Sequence, residues 1–267
     1  IFYGAWLAFV QTDIKRLLAY TSISHMGFVV LAIYAGTLIS LQGLMVQMLA
    51  HGLSSAALFI MAGQLYERMH TRELPLMGGM WGQFRYYAPF LMFFCAALLG
   101  IPGTGNFIGE ILILLGSFEK YPGFVVIATF SLVWAGLYSL IIIYRALFGE
   151  ETVPKYAAAS VATNSVQPAE LEKAKVQPAN ATLAVNENNT THMINHSYEG
   201  EESHDKPINL HDLNKRELAL LLILAVGLVW LGLYPQTVLD TSSHAMQWIN
   251  NAYTYHEVVN FEAVESI

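Results

Sequence analysis

Three ionisable residues stand inside long apolar runs of this chain. His25 lies in Tyr20-Thr21-Ser22-Ile23-Ser24-His25-Met26-Gly27, His51 in Gln47-Met48-Leu49-Ala50-His51-Gly52-Leu53-Ser54-Ser55, and Glu110 in Asn106-Phe107-Ile108-Gly109-Glu110-Ile111-Leu112. A charge at the centre of a bilayer costs about 2.5–3.5 kcal/mol on insertion scales, so such residues mark an ion or proton path unless partners hold them for structural reasons. Histidine changes charge near neutral pH and can pass a proton in either direction. On a helix, Gln47 at i−4 and Ser54 and Ser55 at i+3 and i+4 place a polar stripe on the face of His51, while Thr21 and Ser22 share the face of His25. Lys15, in Gln11-Thr12-Asp13-Ile14-Lys15-Arg16, is a fourth candidate between two apolar runs.

Each candidate has a bland alternative. His25 could be a histidine satisfied by hydroxyls and backbone near the cytoplasmic end of its span. His51 could belong to a hydrogen-bond cluster that packs helices. Glu110 could cap a re-entrant loop, and Lys15 could be an ordinary topology-setting charge. Glu110 carries the strongest functional signal, because Gly100-Ile101-Pro102-Gly103-Thr104-Gly105-Asn106 precedes it and Pro interrupts a helix by removing a donor and clashing with the preceding turn. Broken helices at membrane depth survive only inside protein or against a wet cavity, and transporters use them to present helix ends to ions.

The elements that must position these residues are membrane spans. Apolar residues make up 55% of the 267 and charged residues 12%, about half the charged share of a soluble domain, and the mean hydropathy is +0.44. The apolar residues fall in six segments: Ile1 to about Val10, Leu17–Tyr34, Leu41–Leu65, an interrupted Tyr87–Phe118, Phe124–Phe148 and Leu218–Tyr234. Between the fifth and sixth lies a polar stretch without hydrophobic period, expected to be a disordered loop. Its Asn-x-Ser/Thr matches at Asn180, Asn188, Asn189 and Asn195 fit compositional accident. The domains expected are 1–149 (spans), 150–212 (cytoplasmic loop), 213–236 (last span) and 237–267 (tail). Lys15, Arg16, Arg68, Arg72 and Arg85 fall in loops of one side, which the positive-inside rule makes cytoplasmic, leaving the C-terminus outside. Glu67 and Arg68 read as a local interfacial ion pair, and Tyr86, Tyr87, Tyr121 and Trp248 as an interfacial aromatic belt.

The net charge of −7 comes from acidic residues clustered in the loop and tail, and 13 Lys and Arg spread over the chain make no stripe for nucleic acid. Cys95 is the single cysteine, so no intrachain disulfide and no cysteine cluster for zinc or iron–sulfur is expected. The chain opens at Ile1 inside an apolar segment, which reads as a piece whose N-terminal part is missing.

Three motifs occur in order: Gln11 through Gly27; Met48-Leu49-Ala50-His51-Gly52-Leu53 followed by Gly63-Gln64-Leu65-Tyr66-Glu67-Arg68; and Gly100 through Glu110. Together they resemble the proton-pumping subunit M family of bacterial NADH:quinone oxidoreductase (respiratory complex I), related to multi-subunit sodium/proton antiporters. The resemblance covers roughly Ile1 to Gly149 and the last span. It implies an all-α integral membrane bundle of about fourteen spans with inverted repeats and broken helices, of which this chain would hold the last six. It implies Glu110 as the proton-exit carboxylate, His25 and His51 as members of a polar axis in the membrane plane, and a less defined part for Lys15. It implies other membrane-arm subunits and the lipid bilayer as partners, no nucleic acid, and no cofactor in this chain, with flavin and iron–sulfur centres in other subunits and quinone bound elsewhere. A sodium/proton antiporter subunit, a hydrogenase-type membrane subunit and a purely structural membrane protein are the competing readings.

Overall fold

The structure is a computed structural model that describes residues 1–148 and 211–265, with side chains to residue 254. The expectations for the polar loop and its Asn-x-Ser/Thr matches fall on residues 149–210, outside the described residues. Every regular element described is helical: α1 (Phe2–Val10), α2 (Ile14–Ala35), α3 (Leu38–Met69), a 3-10 turn (Leu74–Leu76), α4 (Met80–Gln83), α5 (Tyr87–Leu99), α6 (Gly105–Phe118), α7 (Pro122–Ile143) continued by a π turn (Tyr144–Phe148), α8 (Lys215–Leu233) and α9 (Gln236–Glu265).

Local chemistry sets the ends. Asp13 caps α2, its Oδ1 accepting from Lys15 N at 2.8 Å and Arg16 N at 3.1 Å. Gly36 ends α2 in the left-handed region at φ 61°, and Thr37 caps α3 by accepting from Ser40 N. The apolar stretch that opens at Tyr87 is split as Pro102 requires. Gly100, at φ 82°, closes α5, and Gly103, at φ 97°, turns the chain before α6 starts at Gly105. At 1.5 Å per residue, the 13 residues of α5 reach about 20 Å and the 14 of α6 about 21 Å, so neither crosses an apolar core alone.

Among the described residues, four helices are long and apolar enough to span: Ile14–Ala35, Leu38–Met69, Pro122–Phe148 and Lys215–Leu233. Their outward faces are apolar, with Phe130 63%, Ile223 71% and Leu233 70% exposed, while Gln47, His25, His51 and Glu110 are buried. Water would make such a surface an aggregation site; lipid makes it the solvated face.

The site is held by the seam between α3 and α6. Ser40, Gly43, Gln47, Ala50 and Ser54 recur every three or four residues on α3, facing Gly105, Asn106, Gly109, Ile113 and Gly116 of α6, and small residues let membrane helices approach closely. Thr37 adds a tie, donating from Oγ1 to Gly116 O at 2.9 Å. A methyl group built on Gly109 would fall 2.7 Å from Gln47 Cα, whereas one on Gly52 meets nothing. Gly109→Ala is therefore expected to destabilise the full-length protein by about 1–3 kcal/mol through overpacking. Gly52→Ala should be neutral or stabilising by up to about 1 kcal/mol. Thermal melts of the two variants side by side check both.

The structure refines or corrects the expectations at four places. The tail expected after Pro235 is helical, as α9; Tyr253 packs its ring against Gly36 and Met246 is buried. Tyr87 is not part of an interfacial belt: it is 1% exposed and donates its hydroxyl to Met61 O at 2.9 Å. Arg68 pairs with Glu217 of α8 at 2.7 Å and not with its neighbour Glu67, which points out of the bundle. Asp212, assigned by sequence to the loop, accepts from Tyr86 N at 2.8 Å and Tyr87 N at 3.2 Å and so caps α5.

Candidate functional site

His25 sits in the middle of α2, twelfth of 22 residues, and not near either end. The hydroxyls on its face do not hold it. Thr21 and Ser22 both donate back to Leu18 O, at 2.8 and 3.1 Å, the usual local bond of such residues in a helix. The imidazole instead reaches across the bundle to two other helices. Its Nδ1 lies 3.0 Å from Glu110 Oε1 on α6, and its Nε2 lies 3.0 Å from the Tyr138 hydroxyl on α7. His25 is 2% exposed, Glu110 4% and Tyr138 1%.

This geometry uses both ring nitrogens. With a neutral ring and an ionised carboxylate, Nδ1–H donates to Glu110 and Nε2 accepts from the Tyr138 O–H. With a protonated ring, Nε2–H donates to the Tyr138 oxygen instead. In either case the imidazole has a partner on both sides.

His51, from the middle of α3, brings its ring to 5.2 Å from that of His25, tilted by 36°. The backbone beneath His51 is tied, since Ser54 donates to His51 O at 3.2 Å, but its Nδ1 is buried with no partner among the described residues.

Glu110 owes its place to the break. Asn106, one turn earlier, donates from Nδ2 to Ala97 O at 2.8 Å and to Ser54 Oγ at 3.1 Å. It is thereby a second donor to Ala97 O, which also accepts from Gly100 N at 3.1 Å, and it ties α5, α6 and α3 together. Gly100 is required twice over: its φ is positive, and a Cβ there would lie 3.0 Å from Glu110 Oε2.

The structure thus brings His25, His51 and Glu110 together. Lys15 is not among them. It stands in the first turn of α2, ten residues and about 15 Å along the helix from His25. Tyr138 was missed, because a tyrosine in an apolar run reads as packing. The signal available was the spacing of small and hydroxylic residues at Ser131, Ala135, Tyr138 and Ser139, which marks the inward face of a span otherwise rich in Ile, Val and Phe.

An outer surface of apolar side chains, a split span and a buried group of titratable side chains at the split define an integral membrane protein of the broken-helix bundle type. The chain belongs to the NADH:quinone oxidoreductase/Mrp antiporter transmembrane family, whose sequence profile matches residues 1–135. It is 45% identical over 258 residues to NADH-quinone oxidoreductase subunit M of Escherichia coli (strain K12), covering 95% of this chain and 41% of that protein. It is 46% identical over 256 residues to the subunit M of Pseudomonas aeruginosa, covering 94% of this chain and 40% of that protein. The chain therefore spans about two fifths of the length of these relatives. The fold is similar to a chain of respiratory complex I from Thermus thermophilus with bound NADH, with a TM-score of 0.65 and 24% identity over 93% of this chain and 42% of that one. It is equally similar to a chain of the Mrp complex from Dietzia sp. DQ12-45-1b, with a TM-score of 0.65 and 20% identity over 96% of this chain and 46% of that one.

Proposed function

We propose that this chain is the exit-side portion of a proton-translocating subunit of an NADH:quinone oxidoreductase, and that Tyr138, His25, Glu110 and His51 carry the proton. The observation that carries the reading is the imidazole of His25 bonded at 3.0 Å on both sides, to a carboxylate and to a phenol. The name shared by the relatives at 45% and 46% identity supports the oxidoreductase over an antiporter.

In this reading the chain contributes no redox chemistry. A proton arriving from the His51 side forms an N–H bond on His25, and the Nδ1–H bond then breaks as the proton passes to Glu110. The carboxylic acid so formed releases it toward the side opposite the basic loops. Those loops do lie at one end of the bundle: Ile14 N donates to Arg72 O, and Leu74 N to Thr12 O. We place that end in the cytoplasm of a bacterial inner membrane, with the C-terminus in the periplasm and neighbouring membrane-arm subunits as partners. Lys15, at the basic end, belongs to the path only as an entry-side charge. Flavin, iron–sulfur centres and quinone belong to other subunits.

The test uses the full-length subunit in its assembled complex, in inside-out vesicles, recording NADH oxidation and the proton gradient together. Tyr138→Phe removes one hydroxyl, leaving His25 Nε2 without its partner and the ring less fixed. A loss of about 1–3 kcal/mol of buried hydrogen bonding is expected, seen as a fall of about fivefold or more in both rates at wild-type complex abundance. Rates equal to wild type in Tyr138→Phe and also in His25→Ala would end the reading.

A further inference from the structure

Gln47 is fully buried in the α3–α6 seam, at 0% exposure, and neither its Nε2 nor its Oε1 has a hydrogen-bond partner among the described residues. Burying a polar group without a partner costs about 1–3 kcal/mol. Packing alone would be served better by an apolar side chain of the same length. Asn106 makes the contrast. Its amide nitrogen has two partners and ties three helices. The amide of Gln47 ties nothing, yet its neighbours in the helix and across the seam belong to the site. It is one turn from His51 on the same face of α3, with about 5–6 Å expected between their Cβ atoms. Across the seam it faces Gly109, the neighbour of Glu110, so closely that a Cβ there would fall 2.5 Å from Gln47 Oε1. The Nδ1 of His51 and, at the other end of this stretch of the seam, the Oδ1 of Asn106 are also buried without a partner among the described residues.

We propose that Gln47 and His51 Nδ1 form a water site between α3 and α6, and that Gln47 is a positioning residue for proton transfer to and from His51. This rests on the proton-path reading given above. A primary amide offers both a donor and an acceptor and exchanges no proton at neutral pH. It can therefore orient a water on His51 without becoming a stop on the path. The step balances without a co-reactant: an O–H bond of the water breaks as an N–H bond forms at Nδ1, and a second proton reaching that water restores it. The reverse step is the same exchange run backwards. A buried water needs two to four polar partners, and the amide supplies two of them.

The experiment compares Gln47→Met, Gln47→Leu and Glu110→Gln with wild type, each in the full-length subunit within its complex. Proton-coupled NADH oxidation is measured per assembled complex in H2O and D2O, with a thermal melt of each variant. Gln47→Met is expected to assemble and to melt at or above the wild-type temperature, because an unpaired amide has been replaced by an apolar isostere. Its rate is expected to fall about fivefold, and its solvent isotope effect to rise as the disturbed transfer becomes limiting. A wild-type rate with an unchanged isotope effect overturns the proposal. So does a loss of assembly in both the Met and the Leu variants, which a packing role explains by itself. The control separates the two levels. If Glu110→Gln is slow while Gln47→Met is normal, only the role of Gln47 falls; if Glu110→Gln runs at the wild-type rate, the proton path falls and this proposal with it.

Discussion

Glu110→Gln in the full-length subunit should lower proton-coupled NADH oxidation by about a hundredfold, while the complex assembles in normal amounts. The expectation follows from what the amide keeps and what it loses. Glutamine has the shape of glutamate and still offers an oxygen to His25 Nδ1–H, so the 3.0 Å contact can persist. It also fits beside Gly100, whose missing side chain leaves room for the second carboxyl oxygen. What it lacks is an oxygen that can be protonated and deprotonated as a carboxylate can. A positioned acid–base group contributes about 10²- to 10⁴-fold to a proton-transfer step, and the lower end applies to one member of a chain. Glu110→Ala is the companion variant. It removes one partner of a buried pair, for which about 3–5 kcal/mol of destabilisation is typical, so it should reduce assembly as well as rate. The measurement is NADH oxidation and vesicle acidification together, each per assembled complex. Normal rates in Glu110→Gln would remove Glu110 from the path and leave the His25 contact as helix packing.

The sequence announces whatever is anomalous within a single run. Histidine and glutamate inside apolar segments are costly, so His25, His51 and Glu110 were visible without partners. Pro102 between two glycines made the break visible, and hydropathy placed the spans to within a few residues. What stayed hidden depends on pairs far apart in the chain. Tyr138 reaches His25 across 113 positions and Arg68 reaches Glu217 across 149. Neighbours in sequence suggested the wrong partners, Thr21 and Ser22 for His25 and Glu67 for Arg68, because a helix turns adjacent residues to different faces and lets hydroxyls bond their own backbone. The helix after Pro235 was hidden for another reason. Its polar composition gives no signal of a span, and it is held in part by tertiary contacts such as Tyr253 on Gly36. Glycine in the seam is likewise ambiguous in sequence: Gly52 and Gly109 look alike, and only the facing backbone of α3 distinguishes them.

Arg68→Ala should be the most destabilising single change at the basic end of the bundle. The guanidinium is 8% exposed and joins three segments. Nη1 donates to Gln64 O at 2.9 Å within α3, Nε to His211 O at 2.7 Å, and Nη2 to Glu217 Oε2 at 2.7 Å. The same Glu217 oxygen accepts from Asn214 N at 2.8 Å, closing the cap of α8. Asp212, next to His211, caps α5 through Tyr86 N and Tyr87 N. One cation therefore fixes the segment that enters α8, and that segment fixes the start of the split span whose far end meets Glu110. Losing one partner of a buried ion pair costs about 3–5 kcal/mol; Glu217 keeps about a quarter of its side chain in solvent, which lowers the expectation to about 2–3 kcal/mol. Arg68→Lys should recover little, because an ammonium is a single point charge and cannot serve three acceptors in the fork that a guanidinium spans. The double variant Arg68→Met with Glu217→Gln should recover more, since it leaves no buried charge without a partner while glutamine can still cap Asn214 N. The check is the apparent melting temperature and the amount of assembled complex for the three variants. A ranking with the lysine variant near wild type and the double variant lowest would mean that charge alone, and not the forked contacts, holds α3, α5 and α8 together.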